Sequence, residues 1–198
     1  MKGKAIHKQT IGLFIGSFVI VICILITCFF LYVYEKNNVG KSATVVFSYS
    51  DDSSKLFMNN TTPITDEVGR NITFLNTNQY AYTEFSISSS MMGVDEVKYE
   101  IYAKNIGVAT EIPHRYVKLY LTDGDTDLPL EGFATSRVPS FKDLAVSAID
   151  PSAKKIHSGT LTKDEVKNFK LRMWLTDTYP ITTEIRNFGI LLYVRVID

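Results

Sequence analysis

The sequence predicts an all-β fold: an antiparallel β-sandwich ectodomain preceded by one N-terminal transmembrane helix. Three observations predict it. Residues 11–34 form an uncharged apolar stretch directly behind a basic N-terminus. Beyond Glu35 the apolar residues recur with period two rather than 3.6, as in half-buried strands. Clusters of Asp, Asn, Ser and Gly, the ordinary turn formers, separate these alternating runs.

Residues 1–10 carry Lys2, Lys4 and Lys8 and no acidic residue. As a helix rising 1.5 Å per residue, residues 11–34 span ~36 Å. A hydrocarbon core is roughly 30 Å thick, so the segment can cross it with room to tilt. The leading lysines, with a cancelling Glu35–Lys36 pair behind, place the N-terminus in the cytoplasm and the C-terminal domain outside. Tyr32 and Tyr34 fall where aromatic side chains meet the outer headgroups. The run is longer than the roughly 7–15-residue core of a secretory signal, and no small-x-small site follows closely. It therefore reads as an uncleaved, single-pass anchor in the plasma membrane. Gly12 and Gly16 have the G-x-x-x-G spacing of close helix pairing, although Gly is also common in spans. Residues 35–43 are a short polar linker, and residues 44–198 the extracellular domain.

That domain is long enough for one proper core. The whole chain has 21 basic and 21 acidic residues, and setting Lys2, Lys4 and Lys8 aside leaves 18 against 21. Such a balance offers no electrostatic footprint for nucleic acid. Both cysteines, Cys23 and Cys28, lie within the span, so a disulfide scaffold is excluded outside it.

The strands follow in order. Thr44–Tyr49 and Tyr80–Ile87 are rich in aromatic and β-branched residues. Val97, Tyr99, Ile101 and Ala103 alternate with polar neighbours, as do Val117, Leu119 and Leu121, and then Leu171, Met173 and Leu175. Phe188, Ile190, Leu192, Val194 and Val196 form the longest apolar face. Short strands with one apolar face each pack as two facing sheets. The single helical candidate is Thr162–Asn168, where Thr162 and Glu165 have capping-box spacing; a turn before the next strand fits equally well.

Motifs for chemistry are sparse. No H-E-x-x-H, G-x-S-x-G, P-loop or G-x-G-x-x-G occurs, and the domain outside has no cysteine nucleophile, so no enzymatic activity is predicted. Asp123, Asp125 and Asp127, with Glu131 behind, are the metal candidates. Alternating carboxylates can converge on calcium, which takes about 6–8 oxygen ligands. An EF-hand loop would need Gly at the position of Leu128 and Glu at that of Ala134; Asp and Gly here serve equally as a turn. Trp174, Tyr116 and Tyr120, with Tyr102 and Tyr193, fall on the polar sides of their strands. They make either an exposed aromatic binding face or a face covered by loops, with residues 132–153 as the cover.

The order of segments carries a resemblance. Leu56–Asn60 and Pro63–Glu67 come first, then Val97–Tyr102 and Val117–Thr122. Gly159–Leu161, Phe169–Leu175 and the closing Phe188–Val196 follow. This order resembles a group of membrane-anchored Firmicutes surface proteins. More remotely, it is similar to the TasA/camelysin type of secreted β-sandwich, whose best known role is to form biofilm matrix fibres. The resemblance covers most of residues 44–198 and implies a bacterial surface domain, but no functional residue is carried over. It departs from that type at the N-terminus, where those proteins carry a cleavable signal.

The expected function is therefore that of a non-catalytic, membrane-anchored surface protein. Its partners are the lipid bilayer and another protein, the matrix or itself. Strand addition at a sheet edge is the natural mode of contact. The alternative is an accessory subunit of an envelope or secretion complex.

Overall fold

The computed structural model of the chain describes residues 20–34, 42–49, 54–76, 80–180 and 186–197. The chain forms two compact units, residues 1–41 and 42–198. In the first, residues 20–34 form helix α1. Every side chain along it except Val33 is exposed, Leu25 and Phe30 among them. The Thr27 hydroxyl donates to the Cys23 carbonyl at 2.8 Å, so this polar group is satisfied inside the helix. The rest of the predicted span, residues 11–19 with Gly12 and Gly16, lies outside the described residues. Among the described residues, no helix is long and apolar enough to cross a membrane.

The second unit is mostly antiparallel β-structure. Its strands are β1 (Ser42–Tyr49), β2 (Lys55–Asn59), β3 (Ala81–Met92), β4 (Glu96–Asn105), β5 (Val117–Asp123), β6 (Ala145–Val146), β7 (Ala153–Thr162), β8 (Val166–Leu175) and β9 (Asn187–Ile197). A short helix, α2 (Asp66–Arg70), follows β2. One sheet has the order β1-β3-β8-β5 and the other β2-β9-β4-β7-β6, with every strand pairing antiparallel.

The alternation seen in the sequence explains the two layers. Phe85 and Ile87 of β3, Leu119 and Leu121 of β5, and Phe169, Leu171 and Met173 of β8 are buried on one sheet. Met58, Tyr99, Ile101, Phe188, Ile190 and Leu192 are buried on the other. All belong to a single apolar core, which is consistent with the expected β-sandwich. Within it Phe47, Phe85 and Phe169 stack in a row, with ring centroids 4.9 and 5.2 Å apart.

Several details depart from the sequence expectations, helix α2 among them. Ser42 and Ala43, assigned to the linker, belong to β1. β3 runs on through Ser88, Ser89 and Ser90 to Met92 because β1 pairs with it from Phe85 to Met92. Thr162–Asn168 is not helical: it is the β7–β8 hairpin. Glu165 accepts from both the backbone N–H and the hydroxyl of Thr162, at 2.7 and 3.0 Å, so the capping-box spacing closes a β-turn instead. β7 was not anticipated. Its apolar residues Ala153, Ile156 and Leu161 break the two-residue period because the β4–β7 register shifts between Ile101 and Tyr102, a bulge.

Candidate interaction surface

Trp174 and Tyr120 share the outer face of the first sheet, while Tyr116 lies in the turn before β5 with its ring against Tyr179, and the three do not form an open platform. Trp174 is fully buried and Tyr120 nearly so, while Tyr116 is half-buried. The cover over Trp174 is α2. Thr65 caps this helix, its side-chain oxygen accepting from the Val68 N–H at 3.4 Å. Gly69 rests on the Trp174 indole, and the Arg70 guanidinium lies 5.5 Å from the centre of the Tyr120 ring. Part of the predicted 132–153 cover locks α2 down. Arg70 donates to the carbonyls of Thr135 and Ser136 at 2.6 and 3.0 Å, and Asp66 accepts from the Val138 N–H at 2.9 Å. Tyr102 and Tyr193 stack on each other at 5.2 Å, but on the other sheet. The five aromatics therefore never meet on one surface, and the exposed-face reading is corrected.

The metal candidates are likewise dispersed. Asp123 Oδ1 accepts from the N–H groups of Asp125 and Thr126 and from the Thr126 hydroxyl, at 2.8–3.0 Å, closing its own turn. These donors hold its carboxyl below the usual range. Gly124 is required in that turn, because a Cβ there would stand 2.7 Å from the Asn168 backbone carbon. Asp125 accepts from the Asn168 side-chain amide at 2.9 Å. Asp127 turns the other way. Both its oxygens take the Arg172 guanidinium, at 2.9 and 3.0 Å, and it accepts from the Thr122 hydroxyl at 2.8 Å. Arg172 is buried, and its Nε also donates to the Ile72 carbonyl at 2.7 Å. Burial pushes the Asp127 carboxyl up, but Thr122 and Arg172 outweigh it and the net shift is downward. Glu131 lies apart, lining a cleft with His157. Among the described residues, no group of three or more His, Cys, Asp or Glu side chains is placed to hold a metal ion.

That cleft, of about 350 Å³, is lined by Glu131, Phe133, Asp143, Lys155, His157 and Ser158. The bulge turns His157 inward, with its ring 5.9 Å from that of Tyr99 and 5.7 Å from that of Phe169. Burial lowers the imidazole pKa, Lys167 lowers it further, and Glu131 opposes both. The neighbouring charges are engaged elsewhere: Lys155 donates to Glu100 at 3.1 Å, and Asp143 accepts twice from Ser140. A second cleft, of about 320 Å³, is lined by Ser48, Glu84, Ser86, Asp125, Asn168 and Lys170.

The remaining candidate is a sheet edge. The β5 edge is guarded by chain from the following loop, through the bridges Lys118↔Ser140 and Thr122↔Pro129. Phe141 N–H also donates to the Val117 carbonyl at 2.8 Å. On the other sheet β2 begins with a lysine and β6 is two residues long. Among the described residues, β1 has none of the usual protections. It runs for 8 residues without charge or proline, and its register with β3 is unbroken from Ser42↔Met92 to Tyr49↔Phe85. Among the described residues no strand pairs with its other edge. Its inner row, Ala43, Val45, Phe47 and Tyr49, is only half-buried, and its outer row is exposed. The Tyr49 hydroxyl donates to the Leu192 carbonyl at 2.8 Å and so pins β1 to the opposite sheet.

Composition could have pointed to this strand, since Ser42–Tyr49 contains no charged residue. What composition cannot give is its place at an edge.

Comparison with protein-family models, curated proteins and solved structures finds no match to this chain. The resemblance drawn above rests on the order of strand segments alone.

Proposed function

We propose that this chain is a membrane-anchored cell-surface protein whose non-catalytic β-sandwich binds another protein or the matrix through the β1 edge. The β1 edge is the observation that carries the reading. It is long, uncharged, straight in register and unpartnered among the described residues. Exposed backbone N–H and C=O groups on such a strand are ready partners for a strand of another chain. The tether is supported by the apolar sequence of residues 11–34 and by the helix of residues 20–34, whose apolar side chains lie open. In water such a surface is costly; in hydrocarbon it is at home. The N-terminus is cytoplasmic in this reading and residues 42–198 lie outside.

Two measurements on the full chain test the reading. The protein should remain with the membrane pellet after alkaline carbonate washing, and protease added to intact cells should digest the domain. Recovery in the soluble fraction, or a domain that survives shaving of intact cells but not of lysed ones, would overturn it.

A further inference from the structure

We infer that the partner of the β1 edge is a second copy of this chain, joined antiparallel about a two-fold axis through Val46. The inference rests on the reading of β1 as the docking edge and names its occupant.

The sequence of β1 is self-complementary in one register. An axis perpendicular to the sheet keeps the inner faces of both copies on the same side. Facing residues then share a face, so their numbers add to an even total. Centred on Val46, the pairs are Val46 with Val46, Val45 with Phe47, Thr44 with Ser48, and Ala43 with Tyr49. Each pair is apolar with apolar or hydroxyl with hydroxyl. Val45–Phe47, a β-branched residue opposite an aromatic, occurs twice on the inner face. Centring on Val45 instead sets Thr44 against Val46 and leaves Tyr49 unpaired.

Charge also points to a second copy. Ser42–Tyr49 has no charged side chain, so two such edges meet without like-charge repulsion and offer nothing to steer a charged partner. The half-buried state of Val45 and Phe47 adds to the case, because the inner row of a neighbouring strand would cover what the opposite sheet leaves open. A contact of seven residues runs about 24 Å. A single strand pair is a small contact, so pairing depends on high local concentration, which a membrane tether supplies.

The test uses the full chain with Cys23→Ser and Cys28→Ser, reconstituted in phosphatidylcholine vesicles. Directly facing residues of an antiparallel pair have Cα atoms about 4.5–5.5 Å apart, within disulfide range. Val46→Cys should therefore give a disulfide-linked dimer under mild oxidation. Thr44→Cys alone and Ser48→Cys alone should not, because like residues then stand about four positions apart, roughly 13 Å. Mixing Thr44→Cys with Ser48→Cys should restore the cross-link. Val46→Lys, which sets two ammonium groups face to face, should abolish the cross-link of the mixed pair when carried by both chains. Val46 is 47% exposed, so its variants should keep the parent's circular dichroism and melting temperature. Absence of the Val46→Cys dimer in folded protein, or equal cross-linking at all three positions, would overturn the pairing. Either failure leaves the tether standing, because membrane retention is read separately; a dimer formed by protein that fails carbonate washing would overturn the tether and not the pairing.

Discussion

Gly69 of α2 lies flat on the indole of Trp174: a Cβ built on it would stand 2.2 Å from Trp174 Cε2. Replacing a helical glycine by alanine ordinarily stabilises a protein by up to about 1 kcal/mol. Here Trp174 is fully buried and cannot retreat, so overpacking decides the sign. Gly69→Ala is expected to cost roughly 1–3 kcal/mol. For a domain of this size that corresponds to roughly 2–4 °C of melting temperature per kcal/mol, measurable by thermal circular dichroism. An unchanged or raised melting temperature would mean that α2 does not sit on Trp174.

Among the described residues, the buried Arg172 guanidinium has one carboxylate partner, Asp127, whose side chain is 50% exposed. Asp127→Ala is expected to destabilise the domain by about 1–3 kcal/mol, less than for a fully enclosed pair because water screens the carboxylate. The folded-state pKa of Asp127 lies below its unfolded value. Its contribution is therefore present above the unfolded carboxylate value of about 3.9 and is lost as pH falls through the folded one. Wild-type melting temperature should drop below about pH 4. The drop should be shallower in Asp127→Ala, the remainder belonging to Asp123, Asp143, Asp150, Glu100 and Glu165, which are also held low.

His157 behaves with the opposite charge and the same direction. Burial favours its neutral ring, so the folded state releases a proton that the unfolded chain holds near pH 6.5. Stability contributed by the neutral ring is complete above that value and declines as pH falls through the lower folded pKa. Wild-type melting temperature should therefore begin to fall as pH drops below about 6.5. His157→Gln should flatten that part of the profile while leaving the carboxylate step below it. Identical slopes in the two proteins would show that the ring is not desolvated.

Calcium supplies a fourth test. Asp123, Asp125 and Asp127 already accept from protein donors and point to three different partners. Millimolar Ca²⁺ is expected to leave the melting temperature unchanged. A rise abolished by Asp125→Ala would show that the loop rearranges to bind the ion.

Much of the β architecture was legible because a strand with one buried face writes its period into the sequence. β4, β5 and β9 lie where alternation placed them, and β1 differs by two residues. β7 was not legible, because a bulge puts Ile156 and His157 out of phase with the residues before them. The turn at Glu165 was ambiguous because a carboxylate three residues after a threonine can reach its N–H in a helix start or in a hairpin.

The candidate site was legible only in part. Trp174 and Tyr120 share one outer face through the β5–β8 pairing, yet what lies on them is α2, which precedes Trp174 by more than a hundred residues. The aspartates looked alike in sequence, but Arg172, fixed in β8, drew Asp127 away from Asp123 and Asp125.

By itself, then, the sequence determined the period, the layers and the apolar N-terminal segment. Those are local properties, set by which residues tolerate water on which side. Tertiary structure alone decided that β1 is an edge, that β5 is guarded and that the aromatic face is closed. Each depends on which distant segment comes to lie alongside, and pairing between remote strands leaves no periodic trace in either of them.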